Sequence, residues 1–155
     1  LWELDLREMP ASSIGLVVSD GKDQRHDAIT TDHIKRLALA GCAIEVDGFG
    51  LMTEGVELHN VKNADTIRIG RGFVRACDRA HEQQRMILAI LAVAERYGLT
   101  TLALDVGTTG EQSFLTQIGV TCLQGDAISP LLSEEEMVRY LVRHGGVKRL
   151  SLRRA

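Results

Sequence analysis

Along the chain, short apolar runs alternate with stretches in which apolar residues recur every three or four positions. The runs are Ile14–Ser19, Ala43–Val46, Thr66–Ile69, Thr101–Leu104 and Val120–Leu123. They are short and mostly apolar, as strands covered on both faces should be. Between them the period is helical. After Thr30, Thr31 and Asp32, the residues Ile34, Leu37 and Ala38 share one helical face, and Gly41 is a natural stop. The longest helix is predicted from about Asp78 to Tyr97, with Ile87, Ile90, Leu91 and Ala94 as its stripe and Gly98 as its end. A third carries Phe114, Leu115 and Ile118 and stops at Gly119. The last opens on Ser133 and Glu134–Glu136, a capping box in which side chains satisfy the free amides of the first turn.

Strand–helix alternation at these lengths predicts a parallel sheet of class α/β, either open or rolled into a barrel. No Gly-rich phosphate loop favours the nucleotide-binding open sheet. Gly48-Phe49-Gly50 has the wrong spacing, and no helix signal follows it. No linker or low-complexity segment interrupts the pattern, so residues 1–155 read as a single domain.

Composition narrows the partners more than the fold. Apolar residues at 45% and charged residues at 25% are ordinary globular values. A formal net charge of −3 gives no electrostatic reason to expect a nucleic acid polymer. The basic residues Lys148, Arg149, Arg153 and Arg154 form a local tail, read as solvated. Cys42, Cys77 and Cys122 lack metal-ligand spacing and read as small buried thiols in a reducing, cytoplasmic setting. No apolar run approaches the ~20 residues of a membrane span, so no membrane contact is expected from this segment. The chain begins at Leu1 rather than Met, which points to a piece of a longer protein.

Candidate chemistry concentrates where strands run out, since βα barrels place their sites there. Asp20, Asp47 and Asp105 are the carboxylates near those ends, beside Arg68 and Gln124. Each Asp also has a plain reading as a cap or turn residue. His26, His33, His59, His81 and His144 form no metal-spaced pair, and Ser12, Ser13 and Ser19 lie in no nucleophile-elbow context.

Four motifs in order then resemble the EAL family of cyclic di-GMP phosphodiesterase domains. Residues Ile44 to Gly50 resemble its strand ending in Asp-Asp-Phe-Gly, and Ala64 to Val74 its Val-Asp-x-Leu-Lys-Ile-Asp-x-x-Phe-Val. Residues Glu95 to Leu99 resemble the helix end before its Ala-Glu-Gly-Val-Glu strand, with Glu111-Gln112 as the following Glu-Gln. Gly119 through Gln124-Gly125 to Pro130-Leu131 resembles its closing Gln-Gly…Pro-Leu segment. The resemblance implies a partial (β/α)8 TIM-type barrel of about five parallel strands, without the family's first strands and their Glu-Ala-Leu signature.

It also implies a site that has lost its chemistry. The family works with two Mg²⁺ or Mn²⁺ ions. Val17 stands at the first Glu of its Glu-x-x-Glu strand, the paired aspartates become Asp47 and Gly48, the strand-end Lys becomes Arg68, and the Asp after it Gly70. The two Glu residues of Ala-Glu-Gly-Val-Glu become Leu104 and Gly107, while a one-residue shift puts Asp105 at the first. One carboxylate cannot organise two divalent ions. The expectation is therefore a catalytically inactive regulatory module with no cofactor and no bound metal. It would act in bacterial signalling through a protein partner or self-association, with cyclic di-GMP as a possible ligand of a remnant site at Asp47, Arg68, Gln124 and Gly125. The alternative is an active phosphodiesterase whose ligands come from missing segments. Three structural expectations follow: Asp47, Arg68 and Gln124 open on one rim, no ordered divalent ion sits there, and the open edge near Ile14–Ser19 draws the chain into a dimer or complex.

Overall fold

The computed structural model describes residues 2–19, 28–47 and 64–144. Five strands, β1 (Gly15–Ser19), β2 (Ala43–Asp47), β3 (Thr66–Ile69), β4 (Thr100–Ala103) and β5 (Cys122–Leu123), form one sheet in chain order. Every neighbouring pair is parallel. The helices are α1 (Trp2–Leu6), α2 (Ala28–Leu39), α3 (Arg71–Val74), α4 (His81–Tyr97), α5 (Thr109–Gln117) and α6 (Glu134–Arg143). Among the described residues no helix is long and apolar enough to cross a membrane.

Strand alternation decides what faces the core. Ile44, Val46, Ile67, Ile69, Thr101 and Ala103 are buried and, by register, share one face of the sheet. On that face Ile67, Ile69 and Ala103 pack with Ile87, Ile90 and Ala94 of α4, together with Val74, Cys77, Val106, Leu115 and Val120. Burying one such isoleucine contributes about 1.5–3 kcal/mol, so the stripe of α4 is a principal tie between helix and sheet. The helix ends as its sequence implies. Gly98 adopts a left-handed φ of 67°, and its N–H reaches the carbonyls of Ala94 and Glu95.

Several boundaries differ from expectation. Helix α2 begins at Ala28, upstream of the Thr30–Asp32 signal, and α4 begins at His81 rather than near Asp78. Residues 75–79 form turns instead, with Ala76 in the left-handed region at φ 60°. Strand β4 starts at Thr100, where its N–H and hydroxyl both bond the Asp65 carbonyl. Strand β5 shrinks to two residues because Thr121 pairs through side chains. Its N–H donates to Thr101 Oγ1 at 3.0 Å, and the Thr101 N–H returns to Thr121 Oγ1 at 3.3 Å. Val120 is buried as the hydrophobic stop after α5, not as a strand residue.

Cys122 corrects the reading of three buried thiols. Cys42 and Cys77 are buried, but Cys122 is exposed. It pairs with Leu102 in register, on the sheet face away from α4, while its neighbour Leu123 packs toward the core.

Candidate functional site

Arg68 is the focus of the sheet's other face. On β3 the alternation that sends Ile67 and Ile69 into the core sends Thr66 and Arg68 the opposite way. Thr66 pairs with Glu45 of β2, and two residues further along Arg68 falls beside Asp47. The guanidinium therefore meets two carboxylates. Arg68 Nη1 donates to Glu45 Oε2 at 2.8 Å, and Nε lies 3.9 Å from Asp47 Oδ2. The first contact is a charge-assisted hydrogen bond, whereas the second is an ion pair too long to be one. Arg68 Nε–H is buried and has no hydrogen-bond partner among the described residues. These side chains keep 21% (Arg68), 25% (Glu45) and 34% (Asp47) of their exposure, so water screens the cluster only in part.

Around this cluster the rim is largely apolar or occupied by turns. Val17 is level with Glu45 on the same face, and it is 47% exposed. Leu104 continues the β4 ladder by donating its N–H to the Ile69 carbonyl at 3.0 Å. Asp105 is exposed at φ 57°, the conformation of a turn residue. Gln124 is exposed just after β5, its backbone bonded to Ala103 and Val106. Two strand spacings, about 10 Å, separate β5 from β3, and no hydrogen bond or ion pair joins Gln124 to Arg68 or Asp47 among the described residues. Of the four expected site residues, Asp47 and Arg68 are thus in contact, and Gln124 and Gly125 lie apart at the end of β5.

Gly125 has a packing role of its own. At φ 150° its Cα lies so close to Val106 that any Cβ would collide with the Val106 backbone N and O. The same contact is laced by Val106 N–H to the Gln124 carbonyl and Ala127 N–H to the Val106 carbonyl, each 3.0 Å.

Asp20, Gly48-Phe49-Gly50, His26, His59 and the basic tail lie outside the described residues. His33, His81 and His144 are exposed, and His144 stacks on Tyr140 with ring centroids 4.1 Å apart. Among the described residues no group of three His, Cys, Asp or Glu side chains could hold a metal ion. Among the described residues the donor set around Arg68 does not fit two divalent ions. Glu45 and Asp47 share a guanidinium, and the position level with Glu45 on β1 is Val17.

Glu45 went unnoticed in the sequence, although its place two residues before Asp47 on a strand puts both on one face. Glu111 was noticed only as half of a motif. It is 6% exposed and closes a capping box with Thr108 at the start of α5. Its carboxylate accepts N–H bonds from Ala76 at 2.8 Å, Gly107 at 2.9 Å and Thr108 at 3.1 Å. Burial raises its pKa, but those donors and the Thr108 hydroxyl outweigh burial and hold it below the ordinary glutamate value. Beside it, burial and then the Glu111 and Asp78 charges push the Cys77 thiol up to about 11. That makes Cys77 a core thiol rather than a nucleophile.

The geometry can be set against known proteins. The family model described as "EAL domain" matches residues 1–131. The bifunctional diguanylate cyclase/cyclic di-GMP phosphodiesterase MucR of Pseudomonas aeruginosa is 26% identical over 105 residues, 68% of this chain and 15% of MucR. The probable cyclic di-GMP phosphodiesterase PdeN of Escherichia coli K12 is 27% identical over 137 residues, 88% of this chain and 26% of PdeN. The chain therefore corresponds to about a quarter or less of these relatives' length. The solved PaMucR phosphodiesterase in complex with c-di-GMP superposes with a TM-score of 0.75 at 26% identity, covering 86% of this chain and 54% of that one. The EAL domain of Mycobacterium smegmatis DcpA superposes at 0.78 and 24% identity, covering 90% and 62%, and speaks for the fold alone.

Proposed function

This chain belongs to the EAL domain family, and we propose that within it the chain is a non-catalytic module acting by protein interaction in cyclic di-GMP signalling. Residues 1–155 form one degenerate domain in this reading. The observation that carries it is the Arg68 cluster. Glu45 and Asp47 are both engaged by a fixed organic cation, Val17 stands level with Glu45 on β1, and Leu104 follows the end of β4. Loss of a single essential group commonly costs several orders of magnitude in rate.

The same cluster weakens nucleotide reception. A guanidinium already bonded to Glu45 at 2.8 Å, with Asp47 beside it, offers a phosphate one cation against two anions. Protein interaction is better supported by the sheet. Strands β1 and β5 are its outer strands among the described residues, and β1 carries the exposed Val17. An outer strand of this kind invites pairing with another chain. Cyclic di-GMP reception is kept as the second reading because the PaMucR structure, similar over 86% of this chain, is a c-di-GMP complex.

The test is manganese-dependent turnover of cyclic di-GMP by the purified chain and by its full-length parent. No turnover above a no-enzyme control is expected from either. Turnover by the parent with dependence on Asp47 makes the module part of an active phosphodiesterase. Light scattering at micromolar concentration tests association, with a dimer or larger species expected and a cooperative, fully folded monomer opposing it.

A further inference from the structure

Between Glu45 and Asp47 the chain carries its own cation, and we propose that Arg68 is the resident counter-ion of this rim, excluding the divalent ion that Asp47 would otherwise help to hold. The inference rests on the non-catalytic reading and supplies a cause for it within the chain. Glu45 and Asp47 stand two residues apart on one strand, hence on one face. Arg68 rises between them from the adjacent strand, bonded to the first at 2.8 Å and 3.9 Å from the second. A metal ion that took Asp47 would sit within a few ångströms of the guanidinium, in a cluster that solvent screens only in part. Arginine cannot relieve that repulsion by losing a proton, because its guanidinium stays charged at any pH a protein survives. Its planar fork also presents two edges at once, which a compact ammonium does not. Arg68 and Glu45 thus act as one unit: Glu45 orients the guanidinium, and the guanidinium offsets one of the two carboxylate charges.

Mn²⁺ alone is the probe, followed by electron paramagnetic resonance of the free ion and by calorimetry on the whole chain. Wild type is expected to show no saturable site up to millimolar Mn²⁺. Arg68→Gln is expected to bind at least tenfold tighter than wild type, and the gain should vanish in Arg68→Gln/Glu45→Gln. Arg68→Met, of similar length and no charge, must show the same gain if the glutamine variant does not fold. A saturable micromolar site in wild type overturns the proposal. So does a folded Arg68→Gln or Arg68→Met that binds no tighter than wild type. These readouts stand apart from turnover. Hydrolysis by the parent would sink the non-catalytic reading, while a silent Arg68→Gln would sink only the role of Arg68.

Discussion

Replacing Glu111 by Gln should destabilise the fold by about 2 kcal/mol, with no effect on the Arg68 cluster. One oxygen of the carboxylate takes the Ala76 N–H, and the other takes those of Gly107 and Thr108. Glutamine keeps a single acceptor. Its amide nitrogen would confront either the Ala76 donor or the Gly107–Thr108 pair, donor against donor. A hydrogen bond to a charged group contributes about 1.5–3 kcal/mol, and a buried donor left without a partner costs about 1–3 kcal/mol. Gly107 and Thr108 are exposed, so water replaces part of what they lose. Ala76 is not exposed, and its left-handed backbone has this bond to hold it. About 2 kcal/mol is therefore a better figure than the sum over three bonds. In a chain of this size it lowers the melting temperature by roughly 4–8 °C.

The pH dependence gives a second handle on the same substitution. The folded pKa of Glu111 lies below its unfolded value. Its contribution is therefore complete above the unfolded pKa, near 4.3, and is lost as pH falls through the folded pKa. Urea unfolding of wild type and E111Q should show a constant gap from pH 7 to about pH 5.5, narrowing as the medium is acidified below about pH 4. A gap under about 0.5 kcal/mol at pH 7, or one that widens on acidification, refutes the assigned role.

Three further outcomes follow from the packing. Gly125→Ala should cost more than about 3 kcal/mol, because its methyl collides with Val106 backbone rather than with a side chain that can turn away; urea midpoints measure it. In the native chain a maleimide should modify Cys122 readily and spare Cys42 and Cys77, with Cys77 held back by burial and a pKa near 11; mass spectrometry of the digested adduct reads this out. Ser133→Ala removes the cap of α6, whose N-terminal box is present on both sides, and should cost about 1 kcal/mol of local helix stability, seen as faster amide exchange in residues 134–137.

Strand order was legible because every crossover segment in the sequence carries a helical stripe or a motif of the right length, and parallel neighbours follow from such connections. What failed were ends governed by side-chain bonds. Nothing in the run Val120-Thr121-Cys122-Leu123 distinguishes a threonine that continues a ladder from one whose hydroxyl replaces it. That difference lies in Thr101, twenty residues away, and is invisible to periodicity. Likewise Asp78, Arg79 and Ala80 continue the polar face of α4 in sequence, but Gln84 Nε2 bonds the Cys77 carbonyl and the turn is fixed there instead.

The motifs marked Asp47 and Arg68 but not the charge between them. Asp47 and Arg68 were each found at a strand end, one by one, as survivors of a metal centre. Read so, Arg68 looks like a lysine kept in altered form and available to a phosphate. The missing element was Glu45, an unremarked residue of a strand that alternation places on the same face as Asp47. Once it is bonded to Arg68, the three residues carry a net charge of about −1 at neutral pH, with the cation enclosed between two anions. A surviving residue therefore need not keep a surviving function. The residue at position 68 is read together with the acid on the next strand, which its guanidinium bonds at 2.8 Å.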